Sequence, residues 1–177
     1  MSSLWVFGNK KYNWIDSLAI NMFKTTNNIK DFTVPNTSIE YIPYQFNQQR
    51  HNMKFEDNVI VFLTDLDKRW FYPNNPDVTC KVDKITDTAV RYYYAYLNNK
   101  MLLRSNILTF LNDLQGWTQF RKLRTIVISE TDELTDMLEE QRRNLFLLNI
   151  AHGSLKEDND VADKVLLNIK ENKPIIL

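Results

Sequence analysis

The 177 residues correspond to one domain, and a composition 44% hydrophobic and 25% charged excludes a disordered, collagen-like or low-complexity chain. Twenty-two basic against 22 acidic residues leave zero formal charge, so no global field recruits nucleic acid or an anionic membrane, and only a local basic patch stays open. A single cysteine, Cys80, excludes an internal disulfide and a thiolate metal site of its own making.

In chain order, Leu4-Trp5-Val6-Phe7 is an apolar run stopped by Gly8-Asn9, the pattern of a buried strand entering a loop. Its opening residues lack the basic segment and apolar core of a secretory signal. Trp14, Ile15, Leu18, Ala19, Met22 and Phe23 then share one helix face, with Asn13 as N-cap and Asp16 at the capping-box position. Ser38-Ile39-Glu40-Tyr41-Ile42 alternates and predicts a strand ended by Pro43. The polar residues 45–56 predict a loop or a short irregular helix. Val59-Ile60-Val61-Phe62-Leu63 predicts a strand buried on both faces.

Residues 73–83 hold Pro73 and Pro76 and predict the longest loop. From Asp83 to Leu114 the chain predicts helix, too long for one piece, with a break near Asn98-Asn99 or Ser105-Asn106 and a stop at Gly116. Val90, Tyr93, Leu97, Met101, Ile107 or Leu108, Leu111 and Leu114 are its expected apolar stripe. Arg124–Ser129 predicts another buried strand, Asp132–Arg143 an acidic helix, Leu145–Leu148 a short strand and Val161–Ile169 a last helix. No stretch approaches the ~20 apolar residues of a membrane span. The expectation is a soluble, cytoplasmic protein (host cytoplasm or virion if viral), with residues 1–177 forming a single α/β domain. Its fold would be a three-layer α/β/α sandwich around a mostly parallel sheet of four or five strands. Twenty asparagines against three glycines suit an AT-rich genome such as many viruses and phages have.

In a parallel sheet the functional residues gather beyond the carboxyl ends of the strands. Those ends offer Gly8-Asn9-Lys10, Thr64-Asp65, Ser129-Glu130 and Asn149 to His152. Neither glycine-rich phosphate fingerprint occurs, and two distant histidines, His51 and His152, give no zinc spacing. Asp65 and Asp67 are of the type that holds a hard cation, but solvated loop acids explain them more simply. No cofactor and no metal are therefore expected. Lys68-Arg69-Trp70-Phe71-Tyr72 and Arg91-Tyr92-Tyr93-Tyr94 interleave basic and aromatic residues as single-strand binders do. Zero net charge favours an aromatic core with solvated charges instead, so nucleic acid is not the expected partner. Arg121, Lys122 and Arg124 are read as solubilising charges and His51 as a surface residue. Arg69 and Trp70 are of the types enriched at protein–protein hot spots and are the candidate contacts to a protein partner.

The blocks Gly8-Asn9-Lys10, Asn58 to Asp65, Thr64 to Phe71 and Asn149-Ile150-Ala151-His152, in this order, resemble the SGNH/GDSL hydrolases, particularly small divergent members seen in phage genomes. The resemblance implies that Gly8-Asn9-Lys10 stands for the family's Gly-Asp-Ser. It likewise implies that Asn149 and His152 stand for its Asp-x-x-His, and that Gly8, Asn9, Lys10, Thr64, Asp65 and His152 surround one depression. Lysine replaces the nucleophilic serine at Lys10, and Asn149 replaces the aspartate that would stabilise an imidazolium. The expected function is therefore a binding or structural module that has lost serine-hydrolase activity. Two alternatives are an esterase, acyltransferase or carboxylate-metal enzyme with a non-standard site, and an unrelated Rossmann-like partner-binding domain.

Overall fold

A strand apolar at every position needs cover on both faces, and β-branched residues suit its pleat. In the computed structural model, which describes residues 3–9, 15, 28–34, 37–63, 88–92, 96–97, 99–129, 146–149, 163 and 166–167, the apolar runs take central places. The strands are β1 (Leu4–Asn9), β2 (Ile29–Val34), β3 (Asn58–Leu63), β4 (Arg124–Ser129) and β5 (Phe146–Asn149). The described helices are α1 (Tyr41–Gln49), continued by a 3-10 turn at Arg50–Asn52, α2 (Thr88–Tyr92) and α3 (Lys100–Arg121). All four strand pairings are parallel, in the order β2-β1-β3-β4-β5. The α/β parallel sheet and the adjacency of Leu4–Phe7 to Val59–Leu63 are as the sequence predicts.

Both faces of the sheet are buried. Trp5, Phe7, Val59, Val61, Leu63 and Val127 face one side and pack with Ile42 and Phe46 of α1 and Leu103, Ile107, Phe110, Leu111 and Leu114 of α3. An aromatic series crosses this layer, from Phe32 stacked on Phe7 at 5.4 Å, to Phe46 edge-on at 5.7 Å, to Phe110 at 5.7 Å. Such pairs add about 0.5–1.5 kcal/mol each beyond area burial. Leu4, Val6, Ile60, Phe62, Ile126 and Ile128 point to the other side and are equally buried. Of the expected first helix, Ile15 is described, helical and buried. Of the last, Asp163, Leu166 and Leu167 are described and helical.

Three local expectations are corrected. Ser38–Ile42 is not a strand: Ile39, Ile42 and Phe46 are buried at helical spacing, and Pro43 stands in the first turn of α1, where a missing N–H costs nothing. The second strand is instead Ile29–Val34, whose Lys30 and Asp31 are exposed. Gly116 does not stop α3, which runs to Arg121. The stop is Lys122, left-handed at φ 50, with Leu123 N–H donating to Thr118 at 3.0 Å and Lys122 N–H to Gln119 at 3.4 Å, the two bonds of a Schellman cap. The break at Asn98-Asn99 is as expected: the Asn99 side chain caps α3 by accepting from Leu102 N–H at 3.1 Å. Leu97 and Met101 are exposed, so the core stripe begins at Leu103.

No described helix is long and apolar enough to cross a membrane.

Candidate functional site

The strand order reverses between β1 and β3, since the chain leaves β1 toward β2 and returns on β1's other side. In open α/β sheets such a switch point, beyond the carboxyl ends of the strands, is the usual ligand position. Gly8 lies there. Its φ of 109 is a conformation L side chains rarely adopt, and an added Cβ would collide with the Phe62 carbonyl group, 2.8 Å from the carbonyl carbon. Glycine thus lets β1 press against β3 immediately before the chain reaches Lys10.

Asn9 ends β1 opposite Val34, one residue past the Gly8–Phe62 pair. Leu63 pairs with Ser129, and Ser129 with Asn149. Asn9, Leu63, Ser129 and Asn149 therefore end their strands at one level, along the carboxyl edge. Three interstrand steps separate Asn9 from Asn149, about 14 Å at the usual strand spacing. Of the sequence candidates, Gly8, Asn9 and Asn149 are thus placed on this edge. Lys10, Thr64, Asp65 and His152, together with the partner-contact candidates Arg69 and Trp70, lie outside the described residues. Among the described residues no group of three His, Cys, Asp or Glu side chains could hold a metal ion.

The opposite, amino end of the sheet carries two further constellations. Asp57, 1% exposed, accepts from Ser3 N–H at 2.8 Å, Trp5 Nε1 at 2.9 Å and Lys54 N–H at 2.8 Å. Its oxygens are consumed in joining β1 to the approach of β3, so this carboxylate is structural. Outside it, the 3-10 turn and the end of α3 meet: Glu56 N–H donates to the Arg121 carbonyl at 3.3 Å and Arg124 N–H to that of Asp57 at 3.1 Å. There Trp117 has the Arg50 and Arg121 guanidiniums 5.3 and 5.4 Å from its ring centre and the His51 ring edge-on at 5.7 Å. Phe120 stands edge-on to Trp117 at 6.1 Å, and the Lys122 ammonium lies 5.7 Å from the Phe55 ring. Sequence reasoning sought basic-aromatic character in continuous runs and so missed this surface, which joins residues 50–55 to residues 117–122. The available signal was Phe120, an aromatic that falls off the core stripe of α3.

No protein-family model matches the chain, and comparison with curated proteins and with solved structures finds no match.

Proposed function

We propose that the chain is a binding module on an SGNH-hydrolase-like, three-layer α/β/α scaffold whose carboxyl edge no longer performs serine-hydrolase chemistry. The observation that carries this reading is the end of β1. Gly8 brings the chain to the switch point, where a nucleophile would be presented, and the residue that follows Asn9 is Lys10. A lysine ammonium is not a nucleophile unless burial or a neighbouring cation lowers its pKa. Asn149, at the end of β5, supplies no negative charge to an imidazolium at His152, a substitution that alone lowers kcat by about 10⁴ in a serine protease. The strand order supports the scaffold but is shared with flavodoxin-like folds, so the blocks Gly8-Asn9-Lys10 and Asn149 to His152 carry the family part of the proposal.

The test is incubation with a fluorophosphonate probe and a short-chain nitrophenyl ester. No serine is expected to be labelled and no ester turned over. Stoichiometric labelling, with turnover lost in His152→Ala, would overturn the proposal. Slow hydrolysis recovered by Lys10→Ser with Asn149→Asp would show that the scaffold retains the family geometry.

A further inference from the structure

We infer that the amino-end surface formed by Arg50, Phe55, Trp117, Phe120, Arg121 and Lys122 binds single-stranded nucleic acid. This inference does not depend on the reading of the carboxyl edge. Zero net charge argues only against a field over the whole molecule, and here the charge is local. Arg50, Lys54, Arg121 and Lys122 form no ion pair with a carboxylate among the described residues. Among the described residues the acids of this region are Asp57, buried and hydrogen-bonded but still charged, the exposed Glu56, and Asp113 at the rim of the recess described below. Four cations against these three carboxylates leave a local cationic excess, and the cations rather than the buried Asp57 stand beside the exposed rings.

The aromatic rings select which anion. Phe120 is 71% exposed and Phe55 54%, so apolar π-faces stand in water beside the cations. Beside Phe120 and Trp117 a recess of about 290 Å³ is lined by Asn112, Asp113 and Gly116, and nothing lies within 4 Å of a Cβ added at Gly116. A base has a flat face to stack on such rings and a phosphate to meet the flanking cations, the combination that binds single strands without reading sequence. An acidic peptide would use the cations but leave the rings without a stacking partner.

The test is fluorescence anisotropy of the full chain with a labelled oligothymidylate of about 12 nucleotides, within the usual span of single-strand sites. Binding is expected at low salt, with log K falling linearly with log salt as counterions are released. Phe120→Ala is expected to weaken it about tenfold, the loss typical of one stacked base. Arg121→Glu with Lys122→Glu is expected to abolish it, with circular dichroism showing the fold intact. Three results would overturn the inference: no binding by folded protein at low salt, binding indifferent to Phe120→Ala, or a polyglutamate peptide bound as tightly as the oligonucleotide. The last would assign the surface to an acidic protein partner.

Discussion

At the scale of the residue, conformation and satisfied polar groups decide more than hydrophobicity. Gly8 combines a positive φ with a Cβ direction blocked by the Phe62 backbone, so no rotamer change relieves a side chain there. Gly8→Ala is expected to destabilise the fold by roughly 3 kcal/mol, the upper end for one strained backbone position plus a clash. A lower urea midpoint with an unchanged m-value is the signature to seek. Asp57 illustrates the other rule: a carboxylate can be buried when charge-assisted bonds from Ser3, Trp5 and Lys54 replace its water. The sequence marks Asp57 only as a polar residue before a strand. Its three donors come from both sides of a 50-residue separation, which no local pattern reveals.

At the scale of the element, α3 shows how much of a helix is written locally. Its start was legible in part: the segment was too long for one helix, which left Asn98-Asn99 and Ser105-Asn106 as break positions, and the Asn99 cap settles it at the first. Its end was not, because Gly116 is the residue that ordinarily signals one. The helix continues since Leu114, Thr118 and Leu123 are held against the sheet. Thr118 donates to the Leu114 carbonyl at 2.8 Å, so the Thr125 hydroxyl of β4 donates to Thr118 across 2.7 Å. An exposed glycine inside a helix costs about 0.5–1 kcal/mol relative to alanine, and the space around Gly116 is open. Gly116→Ala is therefore expected to raise Tm by about 1–4 °C in a scanning calorimeter. An unchanged or lower Tm would mean that the methyl group meets a neighbour. The same element scale explains the missed β2: strand patterns are read from apolar residues, and Lys30 and Asp31 face solvent on an edge. There Asp31 accepts from Thr33 N–H at 2.9 Å and Thr33 Oγ1 at 2.6 Å, and Gln45 Nε2 donates to the Phe32 carbonyl at 2.6 Å, tying α1 to the edge.

At the scale of the whole molecule, β3 is paired on both sides and buried at every position. Its amides can exchange only when the sheet opens as a unit. Native-state hydrogen exchange is expected to find Val59–Leu63 slowest, at the free energy of global unfolding, and Lys30–Thr33 on the edge substantially faster. Equal rates in the two strands would show instead that the sheet opens in one step. The two ends of the sheet would then share a rigid centre: the carboxyl edge where Gly8, Asn9 and Asn149 stand, and the amino end with its aromatic and cationic surface.

By itself the sequence determined the α/β class and the strands β1, β3 and β4, because a run apolar on both pleat faces is stable only inside a covered sheet. It also offered the break at Asn98-Asn99, but only beside Ser105-Asn106, which lies inside α3. Only the tertiary structure decided that the chain turns after Ser38 and enters α1 at Tyr41, since alternation over five residues does not by itself fix a strand. Tertiary contacts likewise carried α3 past Gly116 and made an edge strand of Ile29–Val34. The basic-aromatic surface belongs to the same class. It exists because Arg50 and Phe55 meet Trp117, Phe120 and Lys122 where β3 and β4 begin, and proximity between distant segments leaves no periodic trace in either one.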